Sequence, residues 1–269
     1  MLENSQKTID ASGMSVRELN LALKAAADGG RILIENPKGM HHIAAGLGTR
    51  CTVEIEGSVG YFAGTMIDGP VIRVRGNAGW FLGDNMTAGE IVVEGHSGNG
   101  TGQGLYGGRL VVKGDCGDRI GALMKNGLVA VGGDSGIMTG LYMMGGEIIV
   151  LGRLGESAGE SMVGGKIFFS GPEPTLGKNA KIEETTDEET EHVERILRDY
   201  GLAAPKMRKI VPENQGTSAD PRGASGTSGG RGTGTGWRLT TVCARYAAFA
   251  HVFARSRYSR RSSRVTWPP

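Results

Sequence analysis

Cysteine and histidine are the side chains in this sequence best suited to nucleophilic chemistry or metal binding. The chain has only three cysteines and five histidines. Cys51, Cys116 and Cys243 are far apart and form no C-x-x-C pair, so neither a zinc site nor a disulfide framework is predicted. We interpret Cys116 as a small buried residue; the alternative is a reactive thiol, for which no base lies nearby in sequence. Three unpaired thiols favour a reducing, cytoplasmic location.

His41 and His42 are adjacent, and adjacent side chains on a strand point in opposite directions. A packing or surface role is therefore predicted for them instead of a paired metal site. No Ser–His–Asp or Cys–His grouping stands out, and the stretch "GDCGDRIG" lacks the G-x-x-x-x-G-K-[ST] pattern of a phosphate-binding loop. The sequence therefore predicts no catalytic, cofactor-binding or metal-binding residue.

The dominant pattern is a repeat of nineteen residues built on glycine, of which the chain has 47. The common pattern is G-x-x-G-x-x-x-G-x-x-M-x-x-G followed by an apolar triplet, such as "IVV" at 91–93. Leu105 replaces the methionine in one copy, and the earlier copy that starts at Gly57 is less regular. So regular a period predicts a repeat architecture, and β-branched triplets between glycine turns favour one β-solenoid coil per copy. The positions to which we assign structural roles are Gly76, Gly79, Gly83, Met86, Gly89, Gly95, Gly98, Gly114, Gly117, Gly121, Met124, Gly133, Gly136, Gly152, Gly155 and Met162.

The repeat positions have distinct predicted roles. Glycines allow a positive φ at turns and let successive coils approach to the strand spacing of about 4.8 Å. The methionine positions fill the interior, and the outer two residues of each triplet point inward. The predicted fold is all-β: a parallel β-helix with 19-residue coils and short flanking helices.

Amphipathic helices are predicted on both sides of the repeat. The first covers residues 15–27 and the second covers 186–200, and each begins with a capping box. The apolar stripe of the second helix is predicted to cap the open end of the solenoid or to dock on a partner. The inferred boundaries are 1–50 for the N-terminal helix and lead-in segment, 51–180 for the β-helix, 181–215 for the capping or docking helix, and 216–269 for a disordered or foreign tail.

Charge is distributed unevenly along the chain. Residues 216–269 hold nine arginines and one acid, a net charge of +8, which leaves −6 for residues 1–215. The mildly acidic body gives no reason to expect nucleic-acid binding. No apolar run reaches about 18 residues, and the N-terminus lacks the basic and apolar regions of a signal peptide, so neither a membrane span nor secretion is predicted.

Three stretches carry a family resemblance: "GNAGWFLGDNMTAGEIVVEG", "LYGGRLVVKGDCGDRIGALMKNGLVAVGG" and "MMGGEIIVLGRLGESAGESMVGGKIFFSG". They resemble the GXGXG domain, the C-terminal right-handed β-helix of the glutamate synthase large subunit. The resemblance covers residues 50–171 closely and extends over 15–205. It implies a scaffold without catalytic residues. We expect this chain to be a free-standing subunit, separate from the amidotransferase and flavin domains of that large subunit.

The resemblance also implies which complexes the chain could serve. We expect a non-catalytic subunit of a glutamate synthase-type complex, N-methylglutamate synthase, that joins an amidotransferase-like subunit to an FMN and iron–sulfur subunit. No cofactor is expected in this chain itself. Such a complex would convert methylamine and glutamate to N-methylglutamate and ammonia. The alternatives are the GXGXG-type subunit of formylmethanofuran dehydrogenase or of its formyltransferase/hydrolase counterpart, and a glutamate synthase-like subunit of unassigned role.

An independent enzyme, a left-handed β-helix acyltransferase, is the hypothesis from another class. That fold shows a six-residue repeat and hence about eighteen residues per coil. A nineteen-residue repeat without hexads argues against it.

Overall fold

A computed structural model describes residues 6–203 and 205–214, and the predicted tail at 216–269 lies outside the described residues. The described part contains eleven strands and two helices, neither of them long and apolar enough to cross a membrane. The strands are β1 (Lys7–Asp10), β2 (Arg31–Glu35), β3 (Thr52–Ile55), β4 (Asp68–Val74), β5 (Ala88–Val93), β6 (Arg109–Val112), β7 (Leu128–Val131), β8 (Glu147–Val150), β9 (Lys166–Phe169), β10 (Ala180–Glu184) and β11 (Arg208–Pro212), and the helices are α1 (Val16–Ala26) and α2 (Asp187–Asp199).

Strands β1 to β9 lie side by side in chain order, and each pairs with the next in parallel. Paired residues are 25 positions apart between β1 and β2 and 21 apart between β2 and β3. From β3 to β9 the offset is 19. The exception is Asp68 with Ala88, which are 20 apart and precede a register shift in β4. The predicted parallel β-solenoid with 19-residue coils is therefore confirmed, and two less regular coils precede the glycine repeat.

The apolar triplets divide between the two faces of the sheet. In β5, Ile91 and Val93 belong to the core inside the coils, whereas Val92 packs on the outer face. Strand alternation requires this arrangement, and it agrees with the prediction. Met86 and Met124 are fully buried in the same core, where each side chain contributes about 1.5–3 kcal/mol by leaving water.

The repeat glycines have two separate physical roles. Gly83 has a φ of +64°, a left-handed conformation that any side chain would strain. Gly98 has no positive φ, but a Cβ there would overlap the indole ring of Trp80 in the preceding coil. The sequence predicts both roles, turn formation and close approach, but does not show which glycine has which.

Helix α1 packs its apolar stripe against the first coils. Leu19 and Leu23 are fully buried in the core that runs through the solenoid. The Asn20 side chain fixes the contact, because its amide donates to the His42 carbonyl at 2.8 Å and its oxygen accepts from the Ala44 N–H at 2.8 Å. The helix therefore covers apolar side chains that the first coils would otherwise expose.

Helix α2 lies on the outer face of the sheet. Val193, Ile196 and Leu197 form its buried stripe. The prediction that this stripe caps the solenoid end or docks on a partner is wrong, because the stripe packs against the outward triplet residues of the sheet. The outward triplet residues are themselves apolar and need a cover. They are Val92, Val111, Ala130, Ile149 and Phe168.

The C-terminal end of the sheet is antiparallel. Strand β11 pairs with β9 on one side and with β10 on the other, both antiparallel, and Ile210 is buried in the solenoid core. Strands β10 and β11 were not predicted from the sequence. The predicted capping boxes are present at both helices, formed by Ser15 with Glu18 and by Thr186 with Glu189.

Candidate functional site

Cys116 is enclosed inside the solenoid. Its Sγ lies 3.2 Å from Ser97 Oγ, which in turn lies 2.7 Å from Thr101 Oγ1. Burial raises the pKa of the Cys116 thiol to about 12, so the thiol stays protonated at neutral pH and is not a nucleophile. The interpretation as a small buried residue is confirmed. Cys51 is also buried, and Cys243 lies outside the described residues.

His41 and His42 lie in a turn, and each begins a stack of rings that runs along the solenoid. Their predicted packing role is confirmed, although the strand position assumed for them is wrong. We call the two stacks the aromatic ladder. They are His41–Tyr61–Trp80, with centroid distances of 4.7 and 5.2 Å, and His42–Phe62–Phe81, with centroid distances of 5.2 and 4.8 Å.

Large apolar side chains are exposed in two rows along the solenoid. In the aromatic ladder, Tyr61 and Trp80 are 42% and 46% exposed. The second row, which we call the turn row, lies on the turns before the strands and contains Tyr106, Met144 and Val163, each at least 43% exposed. Exposed aromatic and methionine side chains that cluster in this way are typical of surfaces that contact other proteins.

Polar side chains tie successive coils together through a polar ladder. At each step the side chain that follows the first glycine of a coil accepts the backbone N–H of the residue nineteen positions later. The ladder consists of Ser58, Asn77, His96, Asp115 and Asp134, with hydrogen bonds of 2.8–3.0 Å. It ends at Arg153, whose side chain has no acceptor, and Pro172 at the next position has no N–H to donate.

Buried charges anchor α2 to the sheet. Glu189 accepts from Lys209 and from Lys166, each at 2.9 Å, and the Lys209 and Glu189 side chains are only 10% and 14% exposed. Burial alone would raise the pKa of Glu189. The hydrogen bonds from Lys166, from the Thr186 N–H and from Lys209 outweigh it and lower that pKa to about 2.

A shallow groove of about 540 Å³ runs past the turns before β7, β8 and β9. Two charged residues line it, and both are engaged: Glu147 lies 2.9 Å from His192 Nε2, and Lys166 bonds Glu189. Within 6–203 and 205–214, no cluster of three or more His, Cys, Asp or Glu side chains could hold a metal ion. The groove therefore offers no converging reactive groups on which chemistry could be based.

The parallel coils with glycines at a fixed spacing are the feature that connects this chain to a known family. A family model described as the GXGXG motif matches residues 33–211. The chain belongs to the GXGXG family. The match runs from β2 to β11, so it includes α2 and the antiparallel end but not α1. The GXGXG family is associated with glutamate synthase-like complexes. No curated protein matches the chain.

The glycines and methionines predicted to have structural roles are distributed along the part of the solenoid in which each coil has 19 residues. The first and second glycines of a coil, such as Gly95 and Gly98, leave room for the Asn77 and Trp80 side chains of the coil before. The ladder residues themselves were not predicted from the sequence. A usable signal was present, because a polar residue follows the first glycine in every copy from Ser58 to Arg153. That the chain holds no catalytic or cofactor-binding residue stays a prediction.

Proposed function

We propose that this chain is a non-catalytic scaffold subunit of a glutamate synthase-type enzyme complex, specifically N-methylglutamate synthase. It joins an amidotransferase-like subunit to a subunit that carries FMN and an iron–sulfur cluster. The complex converts methylamine and glutamate to N-methylglutamate and ammonia. FMN and the iron–sulfur cluster then belong to the partner subunit, and this chain holds neither.

The pair of exposed rows is the observation that carries the proposal. The aromatic ladder and the turn row lie on different turns of the coil, separated by inward-facing residues such as Leu82 and Met86. Tryptophan and tyrosine are the side chains most enriched among those that dominate binding energy at protein interfaces. Two such rows on a rigid rod suit a subunit that holds two partners at a fixed separation.

The interior of the solenoid supports the same proposal. Most of its side chains are methionines and aliphatic residues packed without exposure, such as Met143 and Ile148. The buried hydroxyls of Ser97 and Thr101 bond each other, and the thiol of Cys116 is protonated. Among the described residues, no buried side-chain nitrogen or oxygen is left without a hydrogen-bond partner to offer a substrate. The chain therefore acts through its outer surface, by binding partner subunits.

Reconstitution from separately purified subunits tests the function. The assay measures N-methylglutamate formed from methylamine and glutamate, with and without this chain. We expect no activity and no bound flavin in this chain alone, and loss of turnover when it is omitted from the complex. Full turnover without it would contradict the scaffold role, and formyl-group hydrolysis with a formyltransferase partner would replace the assignment to N-methylglutamate synthase.

A further inference from the structure

Two Asn–Gly dipeptides occur in the sequence, Asn99–Gly100 and Asn126–Gly127. An asparagine followed by glycine can cyclise, because no side chain hinders attack by the next backbone nitrogen on the asparagine amide carbon. The reaction requires that the side chain and this nitrogen are both free to approach each other. The structure engages both reacting groups of one dipeptide and leaves both reacting groups of the other without a hydrogen bond.

Asn99–Gly100 is held by the following coil. Asn99 Oδ1 accepts the Asp118 N–H at 2.9 Å, and the Gly100 N–H donates to the Asp118 carbonyl at 2.8 Å. Both reacting groups are therefore engaged with the same residue nineteen positions further along. Cyclisation at Asn99 requires local opening of the coil.

Asn126–Gly127 lies on the turn that leads into β7, at the edge of the groove. Asn126 is exposed, and neither its side chain nor the Gly127 N–H makes a hydrogen bond to any described residue. The same position in the two adjacent coils is occupied by Gly107 and Gly145, so no side chain stacks above or below Asn126. Neither neighbouring coil restrains the Asn126 side chain.

We infer that Asn126 is a site of spontaneous deamidation and that Asn99 is protected from it. A solvent base removes the Gly127 amide proton, and the nitrogen attacks Cγ of Asn126. The Cγ–N bond to the side-chain amide breaks, and ammonia leaves with a proton from the medium. Water then adds to one of the two carbonyls of the succinimide. The product is aspartate or isoaspartate, and the net change is gain of water and loss of ammonia.

Both products change the local structure in a definable way. Aspartate at 126 places a negative charge on the groove beside Glu147. Isoaspartate inserts an extra backbone carbon immediately before β7, within a stretch where every coil otherwise has the same length. The modification would therefore accumulate with the age of the protein at one defined turn. The inference does not depend on the proposed function.

Peptide mapping of the folded full chain tests this inference. The protein is incubated in mildly alkaline buffer made with heavy-oxygen water and then cleaved after arginine. This cleavage places Asn99 and Asn126 inside separate peptides, 76–109 and 120–153, and does not cut at a newly formed aspartate. We expect the Asn126 peptide to lose its amide and incorporate heavy oxygen at least about tenfold faster than the Asn99 peptide, because the two hydrogen bonds at Asn99–Gly100 must open first.

Two controls make the test specific to the structure. In denaturant both dipeptides should react at similar rates, and Asn126→Gln should abolish the reaction at that position in the folded protein. Equal rates at Asn99 and Asn126 in the folded chain would overturn the inference. So would an unmodified Asn126 in folded protein under conditions in which the denatured chain reacts.

Discussion

Asp134 and Arg153 are joined twice across adjacent coils. Asp134 Oδ1 accepts the Arg153 backbone N–H at 2.8 Å, and its other oxygen accepts from the Arg153 guanidinium at 2.8 and 3.0 Å. The first bond requires a glycine at 152, because a Cβ there would overlap Asp134 Oδ1. The ladder residue of one coil and the first glycine of the next are therefore a matched pair.

Gly133 forms the same kind of matched pair with Asp115 of the preceding coil, so we predict that Gly133→Ala destabilises the solenoid. Gly133 has no positive φ, so the cost comes from overlap of the new Cβ with Asp115 Oδ1. We expect a loss of about 1–3 kcal/mol in the free energy of unfolding, measured by chemical denaturation. Gly48→Ala is the control, because Gly48 also has no positive φ and a Cβ there meets nothing within 4 Å. Equal effects at both positions would contradict the steric explanation.

A charge at the inner methionine position should be far more damaging than one in the turn row. Met124 is fully buried, so Met124→Asp places an unpaired carboxylate in an apolar interior. We expect a fall in melting temperature large enough to prevent folding at physiological temperature. Met144→Asp, at a residue 43% exposed, should leave the melting temperature nearly unchanged. A stable Met124→Asp protein would show that this position is not part of the core.

Glu189 should make stability depend on pH in acid. Its pKa is about 2 in the folded protein against 4.5 without a partner, so its contribution is present above about pH 4.5 and is lost as the pH falls towards 2. Glu189→Gln keeps the capping box but removes the charge, and should cost on the order of 2 kcal/mol at neutral pH. Denaturation of both proteins from pH 7 to about pH 2 should show the difference shrinking. Glu188→Gln, at an exposed residue on the same turn, is the matched control for the loss of one negative charge.

Exposed Trp80 should contribute to assembly more than to stability. Trp80→Ala is expected to weaken association with one partner subunit by about tenfold or more while the melting temperature changes little. Tyr106→Ala should weaken association with the other partner. Glu156→Ala, at an exposed position in line with Trp80, is the matched control. Association unaffected by both aromatic substitutions would remove the two rows as contact surfaces.

Deletion of 216–269 should leave folding and assembly intact. The glycine- and serine-rich start of this segment and its net charge of +8 are unlike the acidic body that precedes it. The melting temperature and the reconstituted activity of the truncated chain are the measurements. A truncated chain that folds but no longer supports activity would show that the tail belongs to the working protein.

The regular part of the fold could be predicted because each coil repeats the same physical solution. Glycine spacing, triplets such as "IVV" and the methionine positions independently indicate one coil per nineteen residues. The irregular ends could not be predicted in this way. The offsets of 25 and 21 residues at β1–β3 break the period, and the short strand "KTID" carries little strand signal.

The position of α2 on the sheet is indicated in the sequence by a different kind of pattern, the apolar character of the outward triplet residues. The middle residue of each triplet points outward yet is apolar from Val92 to Phe168, which shows that something must cover this face. The stripe on α2 has the matching apolar character. Neither segment alone indicates the contact, because it joins residues about a hundred positions apart, as in the 2.9 Å hydrogen bond from Tyr200 to Glu90.

The offset of 19 residues between β3 and β9 limits how the length of this solenoid can change. One residue inserted within a coil would shift every later side chain relative to its neighbours and break both ladders. Duplication of a whole nineteen-residue unit would instead add one coil with its glycines, polar ladder residue and triplet in place. Lengthening by complete coils is therefore tolerated up to Pro172, where the polar ladder has neither a donor nor an acceptor with which to continue.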